Sequence, residues 1–149
     1  MKIMRFLFYS LAVLTLLNLA EVQNVNAQNI LVGWATEDIT PEGPVSLQGQ
    51  YYERISEYVQ SPLMVTALAI ESAGRGDTEQ AIMISVDVVN FKDGLQDSLR
   101  KKLDGKIPGF NLQKLFLNAT HTHSSFNTGI KSKEREMLLD KLSKVLCFS

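Results

Sequence analysis

Apolar positions fall first in runs of strand length and later in helical stripes. Residues 63–71 (LMVTALAIE) and 81–89 (AIMISVDVV) are two such runs, and Gly74, Arg75, Gly76 and Asp77 between them supply turn chemistry. That pattern predicts a hairpin. The second run is apolar on both faces, so its strand is expected at the centre of a sheet with both sides covered. Asp87 near its end is the exception, because a carboxylate in a buried strand needs a turn amide, an arginine or a histidine as partner. A shorter run at 30–35 (ILVGWA) predicts a first strand. Pro41 closes it, having no amide donor and biasing Thr40 toward extended geometry.

Phe91, Leu95, Leu99 and Leu103 recur every four residues, which predicts an amphipathic helix on the sheet. Asn90 with Asp93 forms its expected N-cap pair, and Asp104 and Gly105 its stop. Pro108 and Gly109 turn the chain into KLFLNA (114–119), a further strand. Strand, helix, strand in this order makes a right-handed parallel crossover the expected connection. The fold class is therefore α/β, with α+β as the alternative: a mixed sheet with a hairpin, a βαβ crossover and helices packed on it. A last helix is expected over 134–146, with Leu138, Leu139, Leu142, Val145 and Leu146 on one stripe. No return strand follows to cover that stripe, which is the layout of an interrupted domain. Residues 42–54 (EGPVSLQGQYYER) fit neither period and read as a long loop of the kind that often carries function.

Composition changes this picture mainly at the N-terminus. Lys2 and Arg5, an apolar core at 6–17, and Val25 and Ala27 before Gln28 have the three-part layout of a signal peptide over residues 1–27. A secreted or periplasmic location follows, with residues 28–149 as one domain. The 15 basic and 16 acidic residues are nearly balanced, and the short basic runs at 100–102 and 131–135 read as solvated helix faces. Nucleic acid is thus not an expected partner, since its binders carry clustered basic surface. The single cysteine, Cys147, excludes an internal disulfide and reads as an inert thiol.

Candidate chemistry gathers at residues 118–129 (NATHTHSSFNTG), which hold both histidines of the chain. Residues i and i+2 of an extended segment point to one side, so His121 and His123 at a strand's C-terminal end can aim both imidazoles into one site. Imidazole binds borderline metals and titrates near neutrality, so the pair suits a metal ligand, a proton shuttle or both. Two polar surface histidines are the competing reading.

The ordered set LVGWATEDITP, LQGQYYER, SPLMVTALAIES, AIMISVDVVNF and LFLNATHTHSS resembles the N-terminal catalytic region of neutral or alkaline non-lysosomal ceramidases and their bacterial relatives. The resemblance spans residues 31–129, and THTHS is its most specific piece. It implies a zinc-dependent amidohydrolase in which His121 binds the metal and His123 is the catalytic neighbour that hydrogen-bonds zinc-bound water or the substrate. The substrate implied is lipid-like, ceramide or another N-acyl amide cleaved to sphingosine and a fatty acid, with peripheral membrane contact left open. The family's other zinc ligands, a histidine, a glutamate and a tyrosine, come from much later in a far longer chain. This chain also departs from the pattern. Ser125 and Phe126 stand where the family commonly has Gly-Pro, and Gln60 and Ser61 where it commonly has His-Asp. Asp87 is a candidate for orienting the metal ligand, because its strand ends at the same sheet edge. The competing functions are a metal-dependent hydrolase with another acyl substrate and a secreted binding domain without catalysis. Because only two histidines are present, the chain by itself is expected to be inactive.

Overall fold

The computed structural model describes residues 29–73 and 78–147. The proposed signal peptide and the turn residues 74–77 lie outside the described residues. Strand β1 is Asn29–Asp38, β2 Met64–Ala73, β3 Gln80–Val86 and β4 Leu115–Ala119; helix α1 is Leu95–Leu103 and α2 Glu134–Cys147. The strands form one sheet in the order β1-β2-β3-β4. β1, β2 and β3 are antiparallel neighbours, whereas β4 returns through α1 to pair parallel with β3, Ile84 against Leu117. This mixed, α+β arrangement contains the expected hairpin and crossover. None of the helices described is long and apolar enough to cross a membrane.

Both helices pack on one face of the sheet. Alternation along the strands directs Val65, Ala67, Ile82, Ile84, Val86 and Leu115 to that face, where they meet Leu95, Leu99 and Leu103 of α1 and Leu138, Leu139 and Leu142 of α2. Leu99, Leu103, Leu138 and Leu142 have no exposed surface. The α2 stripe that the sequence leaves without a cover is therefore buried. The bare apolar surface is instead the other face of the sheet, where Trp34 is 76% exposed, Met83 52% and Phe116 51%. β3 is central, as its sequence predicts, but only one of its faces is covered among the described residues. The uninterrupted apolar run conceals that difference, because a residue such as Met83 reads alike whether buried or bare.

The start of α1 also differs from expectation. Its N-cap is Gly94, left-handed and without a side-chain cap, so the helix begins several residues after Asn90. Asn90 and Asp93 are engaged elsewhere: the Asn90 side chain meets that of Gln48 at 2.6 Å, its backbone carbonyl accepts from the Thr128 hydroxyl at 2.8 Å, and the Asp93 carboxylate accepts from the Ile130 amide at 2.9 Å. They fasten the segment after β4 to the segment after β3, which sets the frame of the site.

Candidate active site

Two chain segments leave the sheet side by side at the C-terminal ends of β3 and β4. The parallel ladder continues past the strands, with the Thr120 amide donating to the Val86 carbonyl and the His121 amide to the Val88 carbonyl, each at 3.0 Å. His121 then turns with φ 65°, a left-handed conformation uncommon outside glycine. The histidines thus do not share a side through strand alternation, as their spacing alone suggests, because the chain is no longer extended at His121. They converge because each ring is anchored separately.

His121 Nδ1 lies 2.8 Å from the Val89 carbonyl oxygen, and His123 Nδ1 lies 3.0 Å from that of Gly49. A carbonyl oxygen only accepts, so each Nδ1 carries the hydrogen and each neutral ring leaves Nε2 unprotonated. The two Nε2 atoms face each other at 3.3 Å, with ring centroids 5.0 Å apart and planes at 73°. Two lone pairs so placed repel unless a proton or a cation lies between them. Nitrogens held about 2.0–2.1 Å from one tetrahedral zinc ion stand about 3.3 Å apart, so this donor pair fits such an ion. Among the described residues no group of three or more histidine, cysteine, aspartate and glutamate side chains converges, so the pair is the donor set on view.

Asp87 stands behind the first histidine without touching it. Its carboxylate accepts from the Met64 amide at 2.9 Å and from the Thr120 hydroxyl at 3.0 Å. Its partners are therefore the amide that opens β2 and a threonine hydroxyl rather than the turn amide, arginine or histidine expected from the sequence, and its reach to the site runs through the residue preceding His121. The loop at 42–54 supplies the other wall. Leu47 bridges to Phe126, the Gln48 amide donates to the Ser125 carbonyl at 2.9 Å, and the Gln50 side chain donates to the His123 carbonyl at 3.3 Å. Ser125 and Phe126, which stand where the resemblance leads one to expect Gly-Pro, are fully buried, the serine hydroxyl donating to the Thr122 carbonyl at 3.0 Å. That departure is thus absorbed by packing.

A groove of about 500 Å³ runs along this wall, lined by Leu47, Arg54, Ile55, Tyr58 and Leu63 together with Thr122, the residue between the histidines. A more apolar cavity of about 340 Å³ lies at the opposite end of β3, around Gln80, Ile107 and Phe110, away from the histidines. Trp34, Tyr51 and Tyr52 are all exposed, and none lines the groove.

With this geometry in view, two solved structures are informative. A neutral ceramidase from Pseudomonas aeruginosa matches with a TM-score of 0.70 at 19% identity, over 80% of this chain and 21% of its own. A ceramidase complexed with C2 matches with a TM-score of 0.63 at 20% identity, over 79% and 20%. The fold is ceramidase-like. The chain spans about a fifth of the length of the ceramidases it matches. No protein-family profile and no curated protein sequence matches it.

Several site residues escape a reading of the sequence. The Val89 and Gly49 carbonyls set both tautomers, yet backbone acceptors leave no residue-type signal. Arg135 reads as part of a solvated basic run but is only 4% exposed, donating to the carbonyls of Lys92, Asp93 and Thr128 and to the Ser98 hydroxyl. Its position beside Leu138, Leu139 and Leu142 on the inward side of α2 was the available clue.

Proposed function

We propose that this chain is part of a ceramidase-like hydrolase that cleaves an N-acyl amide of a lipid, and that it is exported. The observation that carries the reading is the convergence of His121 Nε2 and His123 Nε2 at 3.3 Å, each ring oriented by a backbone carbonyl, on a ceramidase-like fold. His121 would hold a zinc ion, with Asp87 steadying it through Thr120; zinc in such a site polarises a carbonyl and makes water a nucleophile near neutral pH. His123 Nε2, with its lone pair directed at the same point, is suited to take a proton from the attacking water or to hold the substrate. The groove beside Thr122, with Leu47, Ile55 and Leu63 among its walls, suits an acyl chain, and a hydrolase with a different acyl substrate uses the same features.

The test is zinc content and rate in a complete homologue carrying the corresponding substitutions. His121→Ala is expected to abolish zinc binding, whereas His123→Ala keeps most zinc and loses rate by about a hundredfold or more, as for loss of an acid–base group. Equal zinc in the parent and His121→Ala overturns the assignment. Hydrolysis of short acyl esters but not of ceramide selects the second substrate class. Residues 28–149 alone are expected to show no zinc-dependent turnover, because a catalytic zinc normally takes three protein ligands and no three donor side chains converge among the described residues. Export is tested by mass spectrometry of secreted material, which should begin at or near Gln28; an intact Met1 refutes it.

A further inference from the structure

We propose that Gly49 is the positioning residue for His123: its carbonyl fixes which nitrogen of the ring is basic, and its missing side chain is the space the ring occupies. The inference deepens the proposed function and rests on it only for the use made of the ring. A Cβ built on Gly49 would lie 2.5 Å from His123 Nδ1 and 2.7 Å from Cε1, distances real Cβ atoms essentially never show. It is the one described glycine at which a Cβ would come so close to a neighbour. Its φ of 82° is a second reason for glycine there, since side chains rarely adopt that conformation.

The two demands act on one contact. The positive φ accompanies a carbonyl that meets Nδ1 at 3.0 Å, and the open side lets the imidazole lie against the backbone. Residues 47–50 are themselves held to residues 123–126 by the Leu47 bridge, the Gln48 amide bond and the Gln50 side chain. The loop therefore cannot retreat from an added methyl without giving up those bonds, and the ring must move instead. Moving it breaks the Nδ1 hydrogen bond, frees His123 to place its proton on Nε2, and turns a donor toward His121 where a lone pair had been. Gly49 never reaches the reacting centre in this scheme and acts only through His123.

The chain has two histidines, so its ring nitrogens can be followed individually by ¹⁵N NMR. For a neutral imidazole these shifts report which ring nitrogen carries the hydrogen. The parent chain is expected to show hydrogen on Nδ1 of both rings. In Gly49→Ala and Gly49→Asn, His123 is expected to lose that signature while His121 keeps it; asparagine is included because it tolerates positive φ while still bringing a Cβ. A proton on Nε2 of His123 in the parent, or an unchanged His123 in a folded variant, overturns the proposal. Should neither variant fold, Gly49→Asn combined with His123→Ala decides, because asparagine tolerates the positive φ: recovery of the fold supports the clash with the ring, and failure to recover overturns it. The tautomer needs neither zinc nor substrate, so loss of the hydrolase reading leaves this result standing and the converse also holds.

Discussion

Arg135 shows how much one side chain does in the frame around the histidines. Its guanidinium donates to three backbone carbonyls and one hydroxyl, at 2.9–3.1 Å, and so joins the start of α2 to residues 92–93 and to Thr128. Thr128 in turn bonds Asn90, whose side chain meets that of Gln48 at 2.6 Å. The network leaves no buried side-chain polar atom unpaired among the described residues. Arginine suits this role because its fork of five donors serves several acceptors at once. Arg135→Met keeps length and apolar stem but strands those acceptors, and it is expected to cost about 3 kcal/mol of stability. Urea unfolding checks this as a drop in midpoint at unchanged slope; a midpoint within error of the parent refutes it. The left-handed backbone of His121 is held by two hydrogen bonds, its amide donating to the Val88 carbonyl and its ring Nδ1 to that of Val89.

At the scale of elements, α2 is tied to β1 by charge as well as by packing. Glu37 on β1 accepts from Lys141 at 2.7 Å and Lys144 at 3.0 Å. The Lys141 hydrogen bond, followed by that of Lys144, holds the Glu37 carboxyl below the ordinary glutamate range, and the Glu37 hydrogen bond raises Lys141. A depressed carboxyl pKa contributes stability that is present above the unfolded value, about 4.3 for glutamate, and is lost as the pH falls through the folded one. Thermal unfolding of the parent should therefore decline more steeply than that of Glu37→Gln between pH 6 and 3, with the curves converging at the acid end. Some decline persists in the variant, because Asp38 is also depressed, by its hydrogen bonds from Thr40. Parallel curves would count against the tie.

Much of this level was legible in the sequence. The hairpin, the crossover strand and both helices follow from periods of two and of three to four, which burial on one face imposes. What escaped has a physical reason in each case. Asn90 and Asp93 have the chemistry of a cap, but distant partners, the Gln48 side chain and the Ile130 amide, outcompete the helix start for their side chains. THTHS located the site, whereas the reason its rings converge lies in the carbonyls of Val89 and Gly49, far away in sequence.

For the molecule as a whole, the informative feature is the uncovered face of the sheet. Trp34, Leu68, Met83 and Phe116 are successive cross-strand partners and so form one apolar row across all four strands. Val32, Ile70 and Ala81 make a second row beside it, while Thr36, Thr66, Ser85 and Asn118 make a polar row toward the histidine end. Apolar surface of this kind marks either an interface or an aggregation liability, and isolated exposed residues do not line up in this way. The chain is therefore expected to associate through this face as its concentration rises. Trp34 is the only tryptophan and lies in the row, so its emission reports the event directly. Dilute chain should emit at long wavelength and be readily quenched by acrylamide, and emission should shift to shorter wavelength as association proceeds. Phe116→Lys with Met83→Lys places charge in the half of the row away from Trp34 without touching the covered core, and it should keep Trp34 exposed at concentrations where the parent has associated. Sedimentation gives the mass in parallel. A parent that stays monomeric with concentration-independent Trp34 emission, or a double variant that associates as strongly as the parent, rules out this face as the adhesive one.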